Sequence, residues 1–83
     1  MKFKAEIDVM PLQELLDPQG KAVMLGLKNL DVHSNDVRIG KHISIEIEAD
    51  SKEEASAKIQ AACQKLLANP IMEGFSYQIS EYA

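Results

Sequence analysis

The chain has 83 residues, enough for one hydrophobic core and no second, so residues 1–83 are expected to form a single domain. Nine Lys and Arg stand against thirteen Asp and Glu, a net charge of −4 with the cations scattered, which excludes the clustered basic surface that nucleic-acid binding requires. The one cysteine, Cys63, excludes an internal disulfide and a cysteine-based zinc cluster.

No apolar run approaches the ~20 residues of a membrane span, and the first residues lack the apolar stretch of a secretory signal. A soluble cytoplasmic protein is expected. Domains of this size often gain stability by self-association, and with disulfides and cysteine-bound metal excluded that route remains.

Residues 2–9 alternate without a fault. Phe3, Ala5, Ile7 and Val9 fall on one side and Lys2, Lys4, Glu6 and Asp8 on the other, the pattern of a half-buried strand. Pro11 ends it, having no N–H for a ladder. A first helix is expected with Asp17 as N-cap and Pro18 at its first position, and Val23, Leu27 and Leu30 recur at helical spacing. Gly20 and Gly26 weaken it, each by roughly 1 kcal/mol relative to alanine, so tertiary contacts must hold it. The polar stretch DVHSND, residues 31–36, closes it.

A short second strand is expected over residues 36–39, with Val37 and Ile39 inward, followed by a tight turn at Gly40-Lys41. A third strand over residues 42–49 places Ile43, Ile45, Ile47 and Ala49 on one side. Ser51 and Glu54 fit a capping box at the start of the second helix. Its apolar stripe is Ala55, Ile59, Ala62, Cys63, Leu66 and Leu67, and Asn69-Pro70 stops it. A last strand over residues 75–81 alternates Phe75, Tyr77 and Ile79 against Ser76, Gln78 and Ser80.

The order β-α-β-β-α-β gives an α+β two-layer sandwich, a ferredoxin-like antiparallel sheet of four strands with two helices on one face. Met10, Leu12, Leu15 and Met24 are left without a place in that core and point to an interface.

That fold hosts many unrelated activities, so chemistry has to be found in side chains. Cys63 lies on the core stripe of the second helix and reads as a small buried hydrophobe. His33 falls in a polar turn and His42 at a strand start, neither with a ligand at metal spacing, and both read as solvated. The outward positions of the central strands carry Lys, Glu, Asp and Ser instead of the aromatics on which RNA bases stack. DPQGK, residues 17–21, has one glycine and a leading aspartate that repels anions, a poor phosphate cradle. In VRIGK, residues 37–41, Arg38 and Lys41 are suited to grip a partner's carboxylate, or else are ordinary solvated charges on a hairpin.

Three strings taken together, LDPQGKAV at 16–23, VRIGKHISIEIEAD at 37–50 and KLLANPIMEGFSYQI at 65–79, resemble the PurS family, small subunits of phosphoribosylformylglycinamidine (FGAM) synthase in purine biosynthesis. Asp31 stands where the family usually closes the first helix with glycine, Gly74 replaces a common acidic residue, and PLQELLDPQG is more acidic and apolar than usual.

The resemblance implies a subunit without an active site of its own. The enzyme uses ATP and glutamine to convert formylglycinamide ribonucleotide (FGAR) into FGAM. A glutaminase (PurQ-type) releases ammonia, and a synthetase (small PurL-type), which holds ATP and Mg, accepts it. This chain would dimerise, bind both partners and help shelter the ammonia. No cofactor, metal or catalytic residue is expected on it. Its candidate docking residues are Asp17, Gln19, Gly20, Arg38, Gly40, Lys41, Asn69 and Pro70, with Gly20 permitting a partner's close approach. Competing readings are a regulatory domain of similar topology that senses a small ligand, and a small acyl-phosphate hydrolase, which lacks its arginine near the first helix.

Overall fold

The structure, a computed structural model, describes residues 1–82. Its elements are β1 (Lys2–Pro11), α1 (Pro18–Asn29), β2 (Lys41–Glu48), α2 (Lys52–Ala62) and β3 (Glu73–Tyr82). The strands form one antiparallel sheet in the order β2-β1-β3. β1 is central, with a neighbour on each side, and its apolar side is covered throughout: Phe3, Ala5, Ile7 and Val9 are all buried. Ile7 faces Ile43 of β2 and Tyr77 of β3, and Ala5 faces Ile45 and Ile79, so one row of apolar side chains crosses the sheet at each step.

α2 lies over β1 and β3. Ser51 caps it by accepting from the Glu54 N–H, while the Glu54 carboxylate reaches back to the Asp50 N–H, one residue before the expected partner. Its buried positions run Ala55, Ile59, Cys63 and then Ala68, two steps of four followed by one of five. The longer step is a π-helical turn over Cys63–Leu67, in which the Ala68 N–H bonds to the Cys63 carbonyl at 3.0 Å. The wider turn brings Ala68 onto the core and throws Leu66 outward, 81% exposed. A regular helix would have kept Leu66 on the buried stripe, which is why periodicity placed it there.

α1 begins and ends as its sequence requires. Asp17 is its N-cap and Pro18 its first residue. At the other end Asp31 adopts φ 61°, its N–H bonds to Lys28 O, and the Val32 N–H bonds to Leu27 O. This pair of bonds is a Schellman closure with aspartate in the left-handed position that glycine usually holds. The departure from the family noted at Asp31 therefore leaves the turn intact.

The α+β class and the ferredoxin-like order stand, with three strands where four were expected. Residues 36–39 pair with no strand, and Gly40-Lys41 does not turn the chain back. No glycine has a positive φ, as a two-residue hairpin turn there would need. The segment instead runs into β2 and is held by side chains from the start of α1.

α1 is not laid along the sheet of its own chain; Gly20 is its one buried residue. A ten-residue strand spans about 33 Å and a twelve-residue helix about 18 Å. End to end they match the 50 Å long axis of the molecule. The radius of gyration is 16.2 Å, against about 12 Å for a compact chain of this length. Residues 12–40 thus form an arm that prolongs the sheet.

Ile59→Ala is expected to cost about 2–5 kcal/mol, and Leu66→Ala less than about 0.5 kcal/mol, measured by urea unfolding. Asp31→Gly, which relieves the left-handed aspartate, is expected to stabilise by about 1 kcal/mol in the same assay.

Candidate functional site

LDPQGK and VRIGK, separate in sequence, form one knot at the root of the arm. The Asp17 carboxylate accepts from the Gly20 N–H at 3.0 Å through Oδ1 and from the Ile39 N–H at 2.7 Å through Oδ2. Asp17 is 8% exposed, so its charge depends on these donors. The two backbone bonds, Gly20 first and Ile39 second, hold its carboxyl below the usual aspartate value, with Arg38 adding to the effect.

Gly20 is needed here for a reason internal to the chain. A Cβ at this position would collide with the Val37 carbonyl. The close approach expected of a partner's backbone is made by residue 37 of the same chain. Gly40 has a similar role, since a side chain would strike the Val9 carbonyl and the Met10 sulfur. Arg38 is also engaged: its Nη2 donates to the Leu12 carbonyl at 2.6 Å. It is half-buried, where the sequence reading had it free to meet a partner. Lys41 remains exposed at the start of β2.

Beside the knot lies an open groove of about 510 Å³. Its walls are the end of β1 with the loop and first turn of α1 that follow, from Pro11 through Leu15, Leu16 and Asp17 to Gln19, the return segment at Ile39, and the approach to β3 at Asn69, Met72 and Glu73. Asn69 shapes the second loop: its side chain accepts from the Ile71 N–H at 3.0 Å, and its own N–H donates to Glu73 Oε1 at 2.8 Å. The Leu12 N–H bonds to Met72 O at 2.9 Å and ties the loops together. The structure therefore gathers Asp17, Gln19 and Asn69 on one groove, with exposed Pro70 next to Asn69. It sets Gly20 and Arg38 behind that groove and leaves Gly40 and Lys41 at the β2 end. Leu16, Ile71 and Met72 leave the rim apolar and exposed.

A second cluster was missed by the sequence reading. His42 stands on the open, polar face of the sheet between two carboxylates, with Nδ1 2.7 Å from Asp8 and Nε2 2.5 Å from Glu6. It is not merely solvated. The signal was the strand register, which sets His42 opposite Asp8 and Ser44 opposite Glu6. Periodicity within one strand does not contain that pairing. The hydrogen bond to Asp8, then that to Glu6, raises the imidazole above its ordinary 6.5, and His42 in turn lowers Glu6. Both ring nitrogens are occupied on opposite edges, so the carboxylates cannot converge on one ion.

Cys63 is fully buried, and burial pushes its thiol up, away from the reactive thiolate. What the molecule offers is a shaped, partly apolar surface held by a rigid knot.

Asp17→Ala is expected to lower the melting temperature, and Asp17→Asn, which keeps one acceptor, to lower it less. Because the carboxyl is depressed in the fold, its contribution is present above the ordinary value of 3.8 and is lost as pH falls through the folded value. His42 has the opposite sign. Its contribution is full below 6.5 and is lost as pH rises through its folded value, so His42→Ala should flatten the urea midpoint above pH 6.5.

Comparison with known proteins places this surface in a family. Residues 4–81 match the family described as PurS, phosphoribosylformylglycinamidine (FGAM) synthase. The chain is 35% identical over 80 residues to the PurS subunit of Bacillus subtilis, covering 95% of this chain and 94% of that one. To the PurS subunit of Thermotoga maritima it is 38% identical over 82 residues, covering 95% of each. Thermus thermophilus PurS is similar in structure, with a TM-score of 0.89 at 34% identity over 100% of both chains. A chain of the Thermotoga maritima PurLQS structure gives 0.88 at 32% identity, covering 96% of this chain and 99% of that one. A match over almost the whole chain, in sequence and in structure, establishes that the chain belongs to the PurS family of FGAM synthase subunits.

Proposed function

We propose that this chain is the assembly subunit of an FGAM synthase, joining a glutaminase of the PurQ type to a synthetase of the small PurL type. The complete enzyme converts FGAR into FGAM with ATP and glutamine, in the cytoplasm. ATP and Mg belong to the synthetase, and this chain contributes no catalytic group. The observation that supports this reading best is the likeness, along almost the full chain, to a subunit solved within PurLQS. The chemistry of the surface agrees. A protein whose thiol is buried and which presents an open, apolar-rimmed groove is suited to bind other proteins, and holding two active sites in register raises a rate without bond-making. Ammonia released into bulk water is protonated and diluted, so a bridging scaffold has chemical value.

Candidate contacts are Asp17, Gln19, Asn69 and Pro70 at the groove and Gly40 and Lys41 at the β2 end, with Gly20 and Arg38 shaping the groove from behind. The chain is proposed to act as a homodimer.

Reconstitution tests this directly. Synthetase and glutaminase together should form FGAM from glutamine only when this chain is added, while ammonia-dependent synthesis by the synthetase is unchanged. Equal glutamine-dependent rates with and without it would overturn the assignment. The exposed rim offers a sharper variant: Leu16→Asp with Met72→Asp should weaken complex formation at least about tenfold while leaving the circular-dichroism spectrum intact.

A further inference from the structure

The open face of the sheet holds a cluster whose bonding depends on one proton. His42 lies on β2 directly opposite Asp8 of β1 and diagonal to Glu6, which faces Ser44. Its Nδ1 is 2.7 Å from Asp8 Oδ1 and its Nε2 2.5 Å from Glu6 Oε2. A carboxylate only accepts hydrogen bonds, and an imidazole donates from both nitrogens only as the cation. Both contacts are therefore hydrogen bonds only while the ring carries two protons. The neutral ring keeps one carboxylate and turns a lone pair on the other.

The two carboxylates do not depend on the ring equally. Glu6 is also served at its other oxygen, where Oε1 accepts from the Ser44 hydroxyl at 3.2 Å and lies 3.4 Å from Lys4 Nζ. Among the described residues Asp8 has no side-chain partner besides His42. From β3 the cluster meets Ser76 and Gln78, which are uncharged and border the same pocket of about 300 Å³. Along β2, Lys41 precedes His42 on the other side of the strand, and Glu46 stands beyond Ser44. α2 packs on the opposite side of the sheet, where the Tyr77 hydroxyl meets Ser56 and Gln60. Lys4, Glu6 and Asp8 are thus the charged groups that face the ring. With the imidazolium this cluster is balanced, and without its proton it carries one net negative charge. The hydrogen bonds to Asp8 and then to Glu6 hold the imidazole above its ordinary 6.5 and move that change toward neutral pH. Two residues before His42 a side chain on Gly40 would strike the Val9 carbonyl and the Met10 sulfur, so the arm rejoins the sheet beside this cluster.

We propose that His42 is a proton-operated clasp between β1 and β2 at the root of the arm. Doubly protonated, the ring bridges Asp8 and Glu6. On losing the Nε2 proton to solvent it keeps Asp8 through Nδ1–H, and Glu6 passes to Lys4 and Ser44. The strand end at residues 41–43 is then held by one contact where it had two. The face also gains a negative charge and a free ring nitrogen. The clasp belongs to the fold, goes beyond the enzymatic assignment and does not rest on it.

Nuclear magnetic resonance of the full chain, titrated from about pH 5.5 to about pH 9, is the test. The ring nitrogen shifts should show both sites protonated at low pH and only Nδ1 protonated at high pH, the reverse of the Nε2–H form that an unconstrained ring favours. The Glu6 carboxyl carbon should move at the same midpoint, above the ordinary 6.5 of histidine. Lys4→Gln with Ser44→Ala leaves Glu6 without its other partners, so there the neutral ring should divide its proton between Asp8 and Glu6. Amide exchange at residues 41–43, read against residues 45–47 of the same strand at the same pH, should quicken about two- to fivefold as His42 loses its proton. In His42→Gln that ratio should not vary with pH. A neutral ring protonated at Nε2 in the parent, or a Glu6 carbon with no step at the imidazole midpoint, would overturn the clasp. So would a double variant that keeps the parent's ring form, or an exchange ratio that varies with pH no more in the parent than in His42→Gln. None of these measurements involves FGAM synthase activity.

Discussion

The carboxylate of Asp17 accepts hydrogen bonds from Gly20, at the head of a helix, and from Ile39, in the return segment that leads into β2. These bonds, with the absence of a side chain on Gly20, fasten the two ends of a long excursion to one point at the rim of the sheet. The direction of α1, the unpaired course of residues 36–39 and the shape of the adjoining groove all follow from that fastening. An apolar residue at position 17 would leave the Gly20 and Ile39 N–H groups without their acceptors, and a larger one at position 20 would push the return segment away. The local chemistry thus fixes a feature as large as the molecule's 50 Å length.

Much of the fold was legible because it depends on residues close together in the chain. Alternation in β1, β2 and β3 marked which side chains face inward. Asp17-Pro18 and Ser51 marked where helices begin. The three strings that resemble PurS were legible for a different reason: each is a short run of contiguous residues, and here they contain the members of the knot and of the asparagine-proline loop. What could not be read depends on residues far apart. Arg38 looked free because its acceptor is a backbone carbonyl at Leu12. His42 looked solvated because its two carboxylates sit on a neighbouring strand. Gly40-Lys41 looked like a turn because glycine often makes one, whereas here the glycine answers to the backbone of β1. Leu66 looked buried because the helix was taken as regular up to Pro70.

The division of labour within the molecule is equally physical. Its one thiol is shut away, and its charged clusters satisfy themselves. Many of the apolar residues left outside fall into two regions, Leu16, Ile71 and Met72 by the groove and Val23, Leu25, Leu30 and Val32 on the arm. A connector benefits from this arrangement, since several proteins can be held at once without competing for one surface.

The central strand borders two strands that lie far from it in the chain: Lys2 faces Glu48 on one side and Tyr82 on the other. During synthesis β1 leaves the ribosome before β2 and lacks its second neighbour until β3 follows. Both strand pairings are therefore long-range, and formation of the sheet waits on the slow closure of large loops. A nascent chain of this kind exposes an apolar, unpaired strand edge until β3 emerges, a condition that favours chaperone capture and makes β3 the step that completes the sheet.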